Sequence, residues 1–368
     1  MRCPLLLTLP LLVVACGPRD ATTAGQGALP EWSLRRVATI DPAADSMIAA
    51  VRSVAVDRDG NVYLAGYGGG GIFVFDSAGH PLRVLGREGS GPGEFKDKYS
   101  LAWVGDTLAV YDPGNGRVEF IDRRGNWVAS QPNARITGGS DIRFYQAGAR
   151  EFFRPSYDHP QGSDKIRQTF IRAGLGVLPD TLAVPENDVG ASFTVVCRGD
   201  RGIGLQSGRN APEFRVAVSP KGNLIAWRTD RYRLTFTNRD DSVVRSMTAE
   251  QAPIPITDSM WAQDLADYQK FREQWKGADC APDALKRPET VWLLRAIEFD
   301  DQGRAWVEGT QRDSMMLAVY DTVGHQIAVM PAPDRDLDVP YVIRGDRLYE
   351  VQADADGLQK VVVYVVIQ

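Results

Sequence analysis

The stretch "VAVDRDGNVYLA", Val54 to Ala65, joins two short β-rich runs through a polar turn with a glycine near its end. The same shape returns without gaps as "VAVSPKGNLIAW" (Val216 to Trp227) and "IEFDDQGRAWVE" (Ile297 to Glu308). Two shorter relatives, "LAWVGDTLAVYD" (Leu101 to Asp112) and "YVIRGDRLYEVQ" (Tyr341 to Gln352), turn through Gly-Asp instead. A degenerate sixth is "IRFYQAGAREFF" (Ile142 to Phe153). Internal repetition of this kind takes precedence over any local motif, because it dictates the architecture.

A second hairpin follows several of the first. "IFVFDSAGHPLRV" (Ile72 to Val84), "VEFIDRRGNWVA" (Val118 to Ala129) and "LAVYDTVGHQIAV" (Leu317 to Val329) share an apolar residue, Asp, two further residues and Gly. Asp opens such turns through side-chain bonds to the backbone, and Gly supplies the positive φ. The unit is therefore two hairpins, or four strands. A lone sheet of four strands cannot cover both of its faces. Radial stacking covers them against neighbouring sheets, which is a β-propeller. Inner hairpins near residues 54, 101, 142, 216, 297 and 341 predict six blades. The last unit runs out of chain after its third strand, in "KVVVYVVIQ" (Lys360 to Gln368), and "WSLRRVATI" (Trp32 to Ile40) is a strand without a unit. This N-terminal strand is expected to close the last blade, because an open edge would otherwise remain.

The connector "GREGSGPGEF" (Gly86 to Phe95) could be mistaken for a phosphate loop. It lacks Gly-Lys-Ser/Thr and opens no helix, so it is expected to carry the chain from the rim of one blade to the axis of the next. Together, the D-x-x-G inner hairpins, the Asp-x-x-Gly outer hairpins and this connector resemble six-bladed propellers of the NHL-like/TolB-like superfamily. The likeness is nearest to bacterial propeller lipoproteins and covers roughly residues 32 to 368. Between blades four and five, "ITDSMWAQDLADYQKFREQWKG" predicts a helical insertion over about 257–277. Thr257 or Asp258 caps it, and Trp261, Leu265, Tyr268, Phe271 (or Arg272) and Trp275 share one face. The helix is expected to lie over one mouth of the propeller.

The first residues read as a different region. Arg2, an apolar run from Leu5 to Val14, Ala15 and Cys16 have the layout of a secretory leader too short to span a bilayer. "VVAC" (Val13 to Cys16) resembles the lipobox of bacterial lipoproteins. That likeness implies a signal peptide over 1–15 and an acylated Cys16. It also implies sorting to the outer membrane, because Gly17 rather than Asp follows. Residues 16–30 are small and polar, as a flexible tether would be, ahead of a folded body over 31–368. Cys197 and Cys280 remain as a pair in a compartment that permits disulfides, and a bridge between them is expected. Two separately buried thiols are the alternative.

Composition excludes several functions. Net charge is −5, with 43% hydrophobic and 24% charged residues, so nothing points to nucleic acid. There are three histidines. His80 and His325 repeat after the glycine of outer turns, as solvated turn residues would. HExxH, C-x-x-C and G-x-S-x-G are absent from the sequence, and "DRDGN" (Asp57 to Asn61) lacks calcium-loop spacing. No catalytic residue, cofactor or metal is expected. The remaining polar cluster, "REFFRPSYDHP" (Arg150 to Pro160), is read as a blade-three loop. There Arg154, Tyr157 and His159 could contact a ligand. The expected function is a lipid-anchored, extracytoplasmic, non-catalytic binding scaffold for an envelope protein or ligand. The alternative is a metal-dependent hydrolase or lactonase resembling gluconolactonase-type propellers, in which Glu298 and Asn61 would serve the metal. A lyase resembling NHL-type amidating enzymes would need a multi-histidine centre, and the sequence offers no counterpart.

Overall fold

A computed structural model describes residues 29–368 apart from 44–47, 68–69, 98–99, 133–142, 149, 159–166, 184–192, 201, 238–242, 249–251, 312–313 and 337. The leader, Cys16, most of the tether and His159 therefore lie outside the described residues.

The inner hairpins each open an antiparallel sheet of four strands. Sheet I comprises Ala50–Val56, Val62–Tyr67, Ile72–Phe75 and Pro81–Leu85. Sheet II comprises Ser100–Val104, Thr107–Asp112, Arg117–Asp122 and Trp127–Pro132. Sheet III runs through Tyr145–Ala147, Glu151–Asp158, Arg167–Gly174 and Val177–Ala183, and sheet IV through Phe214–Val218, Leu224–Arg228, Arg233–Thr237 and Val243–Thr248. Sheet V holds Leu294–Phe299, Ala305–Gln311, Ser314–Tyr320 and Gln326–Pro331. Sheet VI joins the two ends of the chain. Val342–Arg344, Arg347–Ala353 and Gln359–Ile367 are completed by Ser33–Ile40. The N-terminal strand runs antiparallel to the C-terminal one, from Ser33 opposite Ile367 to Ile40 opposite Val361.

Alternation along each strand sends side chains to both faces of its sheet, and both faces are apolar. In sheet I, Val54 and Val56 pack towards Val351, Val361 and Val363 of sheet VI. Ala55 and Tyr63 pack the other way, against Leu101, Trp103 and Val110 of sheet II. Equivalent cores fill the gaps II–III, III–IV, IV–V and V–VI. The first strands touch in the same order, and the cycle closes from sheet VI back to sheet I. This is a β-propeller. Polar stitches cross the same gaps. Ser53 Oγ accepts from Leu101 N at 3.0 Å, and Ser100 Oγ accepts from Phe144 N at 2.8 Å. Arg347 donates to Ser77 O at 3.1 Å and joins sheet VI to sheet I.

The turn chemistry follows the sequence pattern. Asp57, 2% exposed, accepts from the amides of Asp59 and Asn61, the Asn61 side chain and the Tyr63 hydroxyl. Asp300 does the same for Gln302, Arg304 and Trp306. His80 and His325 are exposed and lie beside Asp76 and Asp321 in their outer turns. In the glycine-rich connector, Gly86 and Gly93 have φ of 71° and 72°. Carbonyls of Ser90, Gly91 and Glu94 converge on the Arg117 guanidinium. The Gly91 amide is taken by the Glu94 carboxylate at 2.8 Å, an anion where a phosphate would have to sit, and the segment runs from the last strand of sheet I to the first of sheet II, as a corner does.

The helix does not stand alone between sheets IV and V, as the sequence suggested; it packs with strands that lie before sheet IV in the chain. The helix α1 spans Asp258–Gln274, and the Thr257 side chain accepts from Met260 N. It packs on a three-stranded sheet of Gly202–Ser207, Thr194–Gly199 and Asp279–Ala281 that was not anticipated. A Cys197–Cys280 disulfide joins two of these strands. Tyr268 and Phe271 bury against Val195, Cys197, Cys280 and Leu285, with Trp261 and Trp275 alongside. Leu265, expected on the same face, is exposed. Asp264 is buried in its stead, accepting from Arg209 N at 3.2 Å.

One local expectation changes. Arg154 and Tyr157 do not lie in a loop. They belong to the second strand of sheet III, where Arg154 pairs with Ile171 and Tyr157 with Gln168. Pro155 reads as a strand breaker, yet here it sits opposite Phe170 in register. Burial of Phe152, Phe153 and Phe170 carries the strand through it.

Candidate functional site: the axial cavity

The first strands of all six sheets surround a cavity of about 390 Å³. That size suits a small molecule or the end of a chain. Its wall mixes small and apolar side chains with charged ones, and more of its surface is polar than apolar. Ala55, Ala102, Ala217 and Val342 line it, and Glu298 stands at the place that Ala55 and Ala217 hold in the gapless repeats. Phe144 meets Ser100 just as Leu101 meets Ser53, which puts Arg143 level with those two serines.

Arg143 and Glu298 form an ion pair across the cavity from sheet III to sheet V. Arg143 Nη1 lies 2.6 Å from Oε1, and Nη2 meets Oε2. The guanidinium also lies 4.5 Å from the centroid of the Tyr145 ring, whose hydroxyl donates to Val216 O. The pair therefore spans sheet IV without touching it by charge. Glu298 is 4% exposed, so its charge needs this partner.

Behind Glu298, the V–VI gap holds a second polar cluster. Glu308 accepts from Nε and Nη2 of Arg335, and Arg335 lies 4.3 Å from the centroid of the Tyr341 ring. Glu350 is fully buried, takes a bond from Gln352 Nε2 at 2.6 Å and lies beside the Tyr364 hydroxyl. Burial pushes the Glu350 carboxyl up to about 7. The Gln352, Tyr364 and Arg335 groups pull it down less strongly, and Glu308 adds to the rise. Burial and Glu350 together push the Tyr364 hydroxyl up to about 12.

An unfolded Glu350 would titrate near 4.5. Between that value and about 7 the folded protein keeps a proton that the unfolded chain has lost, so stability falls as pH rises through the window. At about 1.4 kcal/mol per pH unit the window is worth about 3 kcal/mol. Glu350→Gln keeps the hydrogen bonding and removes the charge. Urea melts of this variant are expected to lose about 3 kcal/mol of the wild-type decline between pH 4.5 and 7. An unchanged slope would exclude Glu350 as its source.

The other candidate residues fall elsewhere. Arg154 is 3% exposed in sheet III and is not among the cavity-lining residues; burial holds its guanidinium below the usual arginine range. Tyr157 follows it on the same strand. Asn61 is bound to Asp57 in an inner turn and does not line the cavity, whereas Glu298 does. The two do not share a site. Among the described residues no three His, Cys, Asp or Glu side chains gather as a metal site would require. Arg143 was missed because its segment is the weakest repeat. The signal was nevertheless present: Arg and Glu at inner-strand places where the other copies carry Ser or Ala.

A family model described as beta-propeller repeat matches residues 50–73, which span the first three strands of sheet I. No curated protein matches the chain. Among solved structures, a member of the DUF4221 family from Bacteroides vulgatus is similar with a TM-score of 0.55 at 12% identity, covering 91% of this chain and 98% of that one. A Bacteroides fragilis protein described as exported gives a TM-score of 0.50 at 12% identity, covering 94% and 98%. At that identity the likeness is one of fold. Sheet geometry and comparisons thus agree on the class, a β-propeller. No helix among the described residues is long and apolar enough to cross a membrane.

Proposed function

We propose that the chain is a six-bladed, lipid-anchored envelope propeller that holds a ligand or partner at its axial cavity without catalysing a reaction. The blade count is supported by six four-stranded sheets among the described residues, whose first strands touch in a closed cycle. Anchoring is supported by the lipobox-like "VVAC" ending at Cys16 and by the polar tether after it. The observation that carries the binding role is the cavity itself, built by every inner strand and spanned by the Arg143–Glu298 pair. A buried charge pair is a weak source of stability and a strong source of specificity when a ligand can replace one partner. No observation favours the lactonase alternative, since Asn61 and Glu298 stand apart.

The test uses the full chain in a bacterial envelope with a photoreactive residue at Asp338, an exposed position on the cavity wall. The control carries it at Leu82, on the outer strand of sheet I. A light-dependent mass shift is expected from position 338 and not from 82, on protein that a Cys16→Ser change releases from the membrane fraction. Equal labelling from both positions, or none from 338, would overturn the reading.

A further inference from the structure

We infer that the side of the cavity formed by sheets I and II is an oxyanion site, in which Arg52, Ser53 and Ser100 receive a carboxylate or phosphate group. This rests on the binding role just proposed and names the ligand chemistry.

The neighbouring arginines supply the contrast. Arg143, Arg215 and Arg335 each meet a carboxylate, from Glu298, Glu213 and Glu308 in turn. Arg52 lines the cavity with Arg143 and Arg344, and like Arg344 it meets no carboxylate among the described residues. Its guanidinium lies 4.5 Å from the centroid of the Tyr67 ring, which orients it without neutralising it. Its Nε is buried and has no hydrogen-bond acceptor. The charge of Arg52 is thus unanswered among the described residues, and the half-buried side chain keeps part of its surface on the cavity.

Two hydroxyls line the cavity with it. Ser53 is 8% exposed and Ser100 is 3% exposed, and both line the cavity. Each oxygen is already spent accepting a backbone N–H, from Leu101 and Phe144 respectively. A serine hydroxyl that accepts still has one hydrogen to give. Neither hydrogen is taken up by an acceptor among the described residues. The I–II side of the cavity thus offers two hydroxyl donors and a cation without an ion pair; of the carboxylates that line the cavity, Asp300 is held by Arg304, Asp301 accepts from Gly345 N, and Asp338 stands in the segment that leads into sheet VI. The Glu298 carboxylate belongs to sheet V and is held by Arg143. Planar guanidinium with hydroxyl donors matches the oxygens of a carboxylate or phosphate better than a neutral hydroxyl ligand, which would leave the charge unanswered.

Calorimetric titration of the full-length protein at low ionic strength tests this, with citrate and inorganic phosphate as probes and glucose as the neutral control. Saturable binding of citrate or phosphate is expected, with none of glucose, and competition between the two anions shows which oxygens the site prefers. Arg52→Gln is expected to weaken the preferred anion at least tenfold, whereas Arg124→Gln, at an exposed outer turn of sheet II, leaves it unchanged. Because Arg52 makes no ion pair, the Gln variant should fold; Arg52→Lys, which keeps charge and loses the planar fork, should fall between the two. Binding of neither anion, or equal binding by wild type and Arg52→Gln, would overturn the inference. If no anion binds while labelling from position 338 persists, the scaffold reading survives alone. If citrate or phosphate binding depends on Arg52 but labelling fails, the oxyanion site stands and the envelope partner falls.

Discussion

A chain beginning at residue 41 is expected not to fold cooperatively, whereas a chain beginning at residue 30 folds as the full one does. The strand Ser33–Ile40 closes sheet VI through a register running from Ser33–Ile367 to Ile40–Val361. Without it, the backbone edge of Gln359–Ile367 is bare along its length, and that strand carries Val361, Val362 and Val363. A long apolar edge of this kind pairs with other chains. The side chains matter as much as the ladder. Ile40 is fully buried between sheets VI and I, and Trp32 is 8% exposed against Trp306 in the V–VI core, with ring centroids 6.1 Å apart. Truncating a buried Ile to Ala costs about 2–5 kcal/mol and a buried Trp about 3–5 kcal/mol. A domain's whole stability is about 5–15 kcal/mol. Losing both residues and the strand between them therefore removes most or all of it. Size-exclusion chromatography should show the shorter chain as aggregate, and urea unfolding should show no sharp transition. Adding a peptide of residues 30–40 in trans should restore part of the monomer. A sharp transition at the full-length midpoint in the chain starting at 41 would mean that the ring does not depend on this closure.

That closure was legible because it follows from counting. Three strands at one end and one at the other leave a single economical pairing, and period-two alternation in "VVVYVV" fixes which face is buried. The turns were legible for a similar reason: Asp57, Asp76 and Asp300 act through bonds confined to four or six residues of chain. The three-stranded sheet of the insertion was not legible. Asp279–Ala281 is three residues long and gains its place from Val196, Cys197 and Arg198, with a sequence separation of 83 between the bridged cysteines. Leu265 misled for a related reason. Helical spacing puts it near the apolar face, but the sheet beneath α1 is narrow, and Arg209 draws Asp264 inwards instead. The cavity was half legible. Glu298 departs visibly from the alanines of its repeat mates, yet its partner Arg143 lies in the one repeat that had drifted furthest. Arg52 carried no signal at all, because an arginine at the start of a strand is an ordinary surface residue until its acceptor is seen to be missing.

The second large effect is expected from Arg335→Ala, which should destabilise the protein by about 3–5 kcal/mol. The Arg335 side chain is 4% exposed and that of Glu308 is 1% exposed. Arg335 gives Nε and Nη2 to one oxygen of Glu308, at 2.9 and 2.6 Å, and Nη1 to the carbonyls of Val339 and Asp336. Removing it leaves Glu308 with Arg295 at 3.5 Å, a partner 34% exposed and weakly placed. It also leaves two backbone carbonyls short of a donor, which adds to the cost. Charge and shape separate in a cycle of variants. Arg335→Met with Glu308→Leu removes both charges while keeping bulk, and should lie much closer to wild type than either single change. Arg335→Lys keeps the charge but loses the fork that serves Glu308 and the carbonyls together, so it should fall between. The cluster adds a further consequence. Arg335 is one of the groups pulling Glu350 down, and Glu308 pushes it up. With Arg335 gone and Glu308 still charged, Glu350 should hold its proton to higher pH, so the decline of stability with pH should extend above 7 in Arg335→Ala. The Met/Leu double variant, which removes both influences, should show no such extension. A loss below about 1 kcal/mol in Arg335→Ala, within the range of an exposed pair, would show that water reaches Glu308 and that the V–VI gap is not the closed polar core described above.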